Sequence, residues 1–291
     1  MTIKGWLGPG VAATLLSVLA MVAPAVEVRA YQEIEVTDGG VIEGRVFLDG
    51  QAPPARIFHL IFSPNIELCR SISDGKGNRL LKEFHVDGEG GFEGVVVAVV
   101  GVAKGKRFDY TPELRLRNCR IGPFVTPVRN AHPIVIRNED PITHDVQAYS
   151  MADEYTFAMF NKPTVPESTA EKKIRMRKGH YLFKTQCGVH DFMQSWGIAV
   201  GNPYFAVTTA DGRFKISDVP PGVYDVVAWH PHMKVQAQQV AVPPSGGVGV
   251  DFRFDVAEVN IPLHDLQTSY RLQTALQPHH LVPPSVELQT P

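Results

Sequence analysis

A thiol, an imidazole and a thioether fall close together at Cys187, His190 and Met193, within the stretch GHYLFKTQCGVHDFMQSWGIAV at 179–200. A thiolate is a soft donor, a neutral imidazole a borderline one, and a thioether a weak, distant axial one. That set suits copper, which alternates between a state preferring soft donors and one preferring nitrogen. A trigonal plane of two nitrogens and one sulfur needs a second imidazole, and His144 in THDVQAY at 143–149 is the candidate. Taken singly, each residue has a plainer reading: a buried Cys is a small hydrophobe, and Met193 with Trp196 is ordinary core. The C-x-x-H-x-x-M spacing together with an upstream His before an alternating strand is what favours ligation.

The ligands need positioning by strands. From Tyr181 the chain alternates Tyr181, Phe183, Thr185, Cys187 against Leu182, Lys184, Gln186, so a strand turns Cys187 to the face that carries two aromatic rings, the interior. Gly188 and Val189 then allow a tight turn that delivers His190.

At 291 residues with a formal net charge of -2, the chain is long enough for one large or two modest cores, and its charge gives no reason to expect nucleic acid or an anionic membrane as partner. Lys4 precedes an apolar run from Val11 to Val22, followed by small-residue cleavage patterns at 23–25 and 28–30. This predicts a signal peptide over 1–30, hence a periplasmic or secreted protein with no integral span after cleavage, an uncleaved anchor being the alternative. In an oxidising compartment thiols that can meet pair up. With Cys187 assigned to the metal, Cys69 and Cys119 are a candidate disulfide, two unpaired buried thiols being the other reading.

Turn signals recur from Asp38-Gly39-Gly40 to Gly246-Gly247, and the runs between them (VIEGRVFL, GVVVAVV, HPIVIRN, FAVTT, VYDVVAW, VDFRFDV) are rich in β-branched and aromatic residues. The expected fold class is all-β. The polar segment 151–173, with Pro163 and Pro166, reads as a long connection carrying at most a short helix. Beyond Val256 the strand pattern ends, and 257–291 reads as a short helix and a loose tail.

Two resemblances rest on these motifs. His144, Cys187, His190 and Met193 over about 112–201 are similar to the ligand set of a Greek-key cupredoxin of the plastocyanin/amicyanin kind. The two-residue gaps between successive donors resemble the short ligand loop of amicyanins rather than the wider one of plastocyanins. The binuclear copper domain of terminal oxidases requires a second Cys in the loop, which 183–186 does not offer. The resemblance implies that Asn138, in HPIVIRNEDPITHDV, pins the two ligand loops together through its amide, an ordinary turn Asn being the alternative. It also implies that His190 lies near the surface as the electron access point, with Phe192 and Trp196 as an apolar shell. The piece T-x-x-D-G-x-F-x-I-x-D-V-P-P-G-x-Y, within 204–231, resembles the latter half of a carboxypeptidase regulatory-like, transthyretin-type sandwich, and 41–62 resembles its opening less specifically. The expected layout is therefore a discontinuous sandwich over 40–105 and 203–256 into which the cupredoxin-like domain is inserted, or by which it is tightly flanked; a Cys69–Cys119 bond would tie the two together.

His230 and His232 in AWHPHM are either a second metal site or exposed loop histidines, Pro231 favouring the latter. His132, His180 and the His279-His280 pair read as solvated. No Ser-His-Asp arrangement, carboxylate pair or open three-histidine site stands out, so enzymatic chemistry is not expected. The resulting expectation is an exported mononuclear copper protein passing electrons to an unknown redox partner protein. The alternative is a secreted interaction or carbohydrate-binding sandwich, with a glycan or cell-surface partner, whose cupredoxin unit is structural or handles copper.

Overall fold

The structure, a computed structural model, describes residues 31–152 and 155–261. The segment 1–30, most of the tail and the His279-His280 pair lie outside the described residues. The fold is all-β, as the alternating runs predict, with only single turns of helix.

The ligand-bearing core is two sheets face to face. In the five-stranded sheet the order is Val125–Val128, Gln194–Ala199, Leu182–Cys187, His144–Ala152 and Tyr155–Thr164. The four-stranded sheet runs Ile121–Gly122, Glu113–Leu116, Pro133–Asn138, Thr169–Lys173. Leu114, Leu116, Ile134 and Ile136 from one sheet and Val146, Phe183 and Cys187 from the other are buried together, as the period-two pattern of each strand requires. The residues expected to form a long connection instead supply two strands, Tyr155–Thr164 and Thr169–Lys173, at the edges of the two sheets. An edge strand is solvated on at least one side, so polar composition does not preclude it.

A second pair of sheets flanks this core. One has the order Phe205–Val207, Val96–Val100, Gly222–Trp229, Gln236–Val242; the other is built on Gly40–Asp49, which pairs with Arg213–Val219, Gly247–Gly249 and Phe252–Asp255. Their facing side chains, among them Ile42, Val97, Val226, Phe252 and Phe254, form a separate buried cluster. The turn at Asp211-Gly212 places Gly212 at φ +77°, where its backbone meets that of Val46 and Phe92 too closely for any side chain.

One segment departs from the expected division. Residues 56–81 form a flap: strands Arg56–His59 and Asn78–Leu81 pair with each other, and three short helical turns lie between them. Phe58, Leu60, Cys69, Ile72 and Leu81 of the flap are buried with the ligand-bearing core rather than with the flanking sandwich. The cause is local. Cys69 is bonded to Cys119, and Phe58 packs edge-on against Phe192 in the ligand loop. The disulfide therefore ties the flap to the ligand-bearing core rather than joining two sandwiches.

Candidate metal centre

His144 opens the strand His144–Ala152 and Cys187 closes the neighbouring strand Leu182–Cys187, with Val146 opposite Cys187 in the antiparallel ladder. The ligand loop folds back on these strands. Gly188 N–H donates to the Asp145 carbonyl at 2.8 Å, Cys187 N–H to the Met193 carbonyl at 3.1 Å, and Met193 N–H to the His190 carbonyl at 2.9 Å. A side chain at Gly188 would meet the ends of the Gln147 and Asp145 side chains, which would have to move aside to admit it.

The three donor atoms converge. Cys187 Sγ lies 3.8 Å from His144 Nδ1 and 3.6 Å from His190 Nδ1, and the two rings stand edge to face with centroids 5.2 Å apart. A first-row ion about 2.0–2.1 Å from nitrogen and about 2.3 Å from sulfur, with bonds roughly 110–120° apart, needs nitrogen–sulfur separations of about 3.6–3.8 Å. The donors thus fit a metal ion. His144, Cys187, His190 and Met193 are all at most 1% exposed.

Hydrogen bonds behind the ring nitrogens decide which of them would face a bound ion. His190 Nε2 lies 3.1 Å from the Pro64 carbonyl, an acceptor only, so Nε2 carries the proton and Nδ1 keeps its lone pair. His144 Nε2 donates to Asp140 Oδ2 at 2.9 Å. The same carboxylate accepts the backbone N–H groups of Asn118 (2.5 Å) and Cys119 (2.9 Å), and it is 2% exposed. Burial, and then the neighbouring His144, push His190 below its ordinary pKa of 6.5, which keeps the ring neutral and able to ligate. Burial also pushes the Cys187 thiol up, partly offset by the N–H groups of Val189 and His190, so the anionic form needs a cation beside it.

Several expectations are corrected by this geometry. His190 is not at the surface, since the flap covers it through Pro64. Asn138 does not join the two ligand loops. Its amide N–H groups reach the carbonyls of Ile142, Thr164 and Val165, which tie the His144 loop to the turn before Thr169–Lys173. The group behind His144 is Asp140, whose signal was its i, i+4 spacing from that histidine. Phe192 lies beside His190, at 5.7 Å between ring centroids, but Trp196 belongs to another cluster and packs edge-on against His232.

His230 and His232 are not exposed loop residues, being wholly buried. His232 Nε2 lies 2.9 Å from Glu83 Oε1, and His230 Nε2 lies 3.1 Å from the Glu83 carbonyl. Burial alone would raise the Glu83 carboxyl, but His232 and Arg56 together hold it down at about 2. Arg56 grips the same carboxylate at 2.5 and 2.7 Å and extends 2.8 Å to Gln194 Oε1, while Gln194 donates to the Asp191 carbonyl beside His190. A buried polar chain thus runs from the ligand loop to the flanking sandwich. It is not a metal cluster, because both nitrogens of His230 are occupied: Nε2 as above, and Nδ1 by the His232 N–H. Among the described residues the compact group of metal-binding donors is His144, Cys187 and His190. His180 is also buried, against the Phe157 ring, and His132 is half-buried.

No family model matches the chain, and no curated protein matches it. Among solved structures, part of the chain is similar to a purple cupredoxin from Nitrosopumilus maritimus at 12% identity, covering 30% of this chain and 98% of that one with a TM-score of 0.26. Amicyanin from Paracoccus versutus matches at 12% identity over 37% of this chain and 98% of that one, TM-score 0.26. A Cu-containing nitrite reductase from Thermus scotoductus matches at 12% identity over 36% of this chain and 25% of that one, TM-score 0.27. Likeness at this level carries no functional argument, so the case for a metal rests on the converging donors of His144, Cys187 and His190.

Proposed function

We propose that the chain is an exported mononuclear copper protein, not an enzyme, that accepts and donates single electrons. The observation that carries this reading is the convergence of one thiol sulfur and two imidazole Nδ1 atoms at spacings a single ion would impose, all withdrawn from water. Copper bound there would supply a one-electron couple. The protein's part is to hold two neutral imidazoles with their lone pairs inward, through Asp140 and Pro64, and to keep the thiolate from solvent. Donors fixed by sheet ladders and hydrogen bonds move little when the charge changes, which favours electron exchange over substrate chemistry. Met193, buried with Cys187 in the same cluster, is the proposed axial donor.

We take the cluster around Cys187 and the cluster around Ile42 to be two folding units, with the ligand-bearing core and its flap inserted into a carboxypeptidase regulatory-like sandwich. Export is proposed from the N-terminal run, together with a Cys69–Cys119 bond that an oxidising compartment would preserve. Among the described residues no helix is long and apolar enough to cross a membrane. Because Pro64 caps His190, the proposed route outward passes through the Nε2–H···O=C hydrogen bond to the flap, where Pro64 and Ile61 are exposed. A redox partner protein would dock there.

The same cap supports a second reading, in which the core stores or handles copper without electron traffic while the sandwich binds a glycan or cell-surface partner. Redox titration of the copper-loaded protein separates the two. The carrier reading expects one copper per exported chain, reduced and reoxidised reversibly by one electron. Copper that is held but not cycled by any small redox mediator would select the second.

A further inference from the structure

Between the flap and the ligand-bearing core lies a cavity of about 390 Å³ whose lining includes none of the metal donors. Arg79, Lys82, His85 and Arg120 line it, with Asp74 as the one carboxylate. Asp74 forms no ion pair with any of the four. Its oxygens accept the backbone N–H groups of Lys76 and Asn78 and the Asn78 amide.

Most arginines of the two sandwiches and the flap that lie beside a carboxylate pair with it. Arg45 pairs with Asp87 and Glu89, Arg56 with Glu83, Arg137 with Glu113, Arg213 with Asp211 and Arg253 with Asp49. Arg79, Lys82 and Arg120 make no ion pair among the described residues, and His85 reaches Glu93 only at 4.0 Å. This gathering of like charge occurs in a chain whose net charge is -2. Arg79 donates through Nη1 to the Leu80 carbonyl at 2.8 Å, while its Nε–H is buried with no acceptor. Burial chiefly, and the nearby Arg120 after it, lower the Arg79 pKa to about 10.

Three cations without an ion pair around one concavity leave a site short of negative charge. We propose that this cavity binds a small, multiply charged anion of the phosphate or polycarboxylate class, held between Arg79 of the flap and Arg120 of the ligand-bearing core. Such an ion offsets the repulsion and fastens the flap to the core beside the Cys69–Cys119 bond. The site stands whether or not copper occupies the other one.

The test is calorimetric titration of the full chain with inorganic pyrophosphate at fixed ionic strength, repeated with citrate. The expected result is one saturable site per chain for both. Arg120→Gln should weaken it about tenfold, as loss of one charge-assisted contact implies, and Lys215→Gln, outside the cavity, should leave it unchanged. Arg79→Gln is the second variant; if it fails to fold, the exposed Arg120 carries the test. Absence of saturable binding, equal weakening by Lys215→Gln, or binding of a polyglutamate peptide but not of pyrophosphate would each overturn the proposal, the last in favour of an acidic protein partner.

Discussion

Asp140→Asn probes the group behind the first imidazole. The carboxylate receives three N–H groups: Asn118 at one oxygen, and Cys119 and His144 Nε2 at the other. An amide has the same shape but only one acceptor oxygen. The orientation that keeps most contacts sets that oxygen toward Cys119 and His144 and points the new NH2 group at the Asn118 N–H. One hydrogen bond is then lost at a buried site, at a cost of about 1–3 kcal/mol in stability of the metal-free protein. The negative charge behind His144 is lost as well, so Nδ1 becomes a poorer donor, and metal affinity should fall about 10–100-fold, roughly 1.4–2.7 kcal/mol. In the opposite orientation the NH2 group donates to His144 Nε2, the ring proton moves to Nδ1, and binding fails altogether. The assay is competition of copper against a chelator, alongside urea denaturation of the metal-free variant. An affinity within twofold of wild type, with stability reduced, would show Asp140 to be only a strut for the 118–119 turn.

Three further outcomes follow from the same geometry. Cys69→Ser with Cys119→Ser opens a loop of 50 residues, which by loop entropy costs up to about 4 kcal/mol. It should also speed copper release by freeing the flap over His190; unchanged release would mean that Pro64 holds its place without the bond. His230, wholly enclosed and facing His232, Glu83 and His85, has its pKa lowered well below the ordinary 6.5 by burial and then by His232. The unfolded chain therefore takes up a proton first on acidification. The contribution is fully present above about pH 6.5 and is lost as pH falls, at up to about 1.4 kcal/mol per pH unit; a urea midpoint that stays constant from about pH 7.5 to about 5.5 contradicts this. Met193→Leu should retain copper while shifting its potential, and loss of the metal would assign Met193 a larger role than a weak axial donor.

The legible part of the site was the local part. Cys187, His190 and Met193 announce themselves because a ligand loop must deliver its donors within one turn, and Cys187 faces inward by simple strand alternation. What covers the site was not legible, because the Pro64 carbonyl is 126 positions from His190 and a backbone acceptor leaves no mark on residue type. His230 and His232 flank a proline and look like loop residues. Their burial depends on Glu83 and on the Phe84, Phe92 and Phe124 rings, none of which is near them in the chain. Residues 151–173 misled through composition: in the edge strand Thr169–Lys173 exposed and half-buried positions alternate, so the strand needs no apolar run. Asp140 was visible in its spacing from His144, yet Asn138 drew the structural role by resemblance.

The central claim is that sulfur, not merely nitrogen, binds copper here. The direct measurement is the visible spectrum of the oxidised, copper-loaded protein beside that of Cys187→Ser, with circular dichroism to confirm that both are folded. The account predicts an intense thiolate-to-copper charge-transfer band in the wild type and none in the variant. A wild type that carries one copper yet is colourless, or a band that survives in Cys187→Ser, would contradict it.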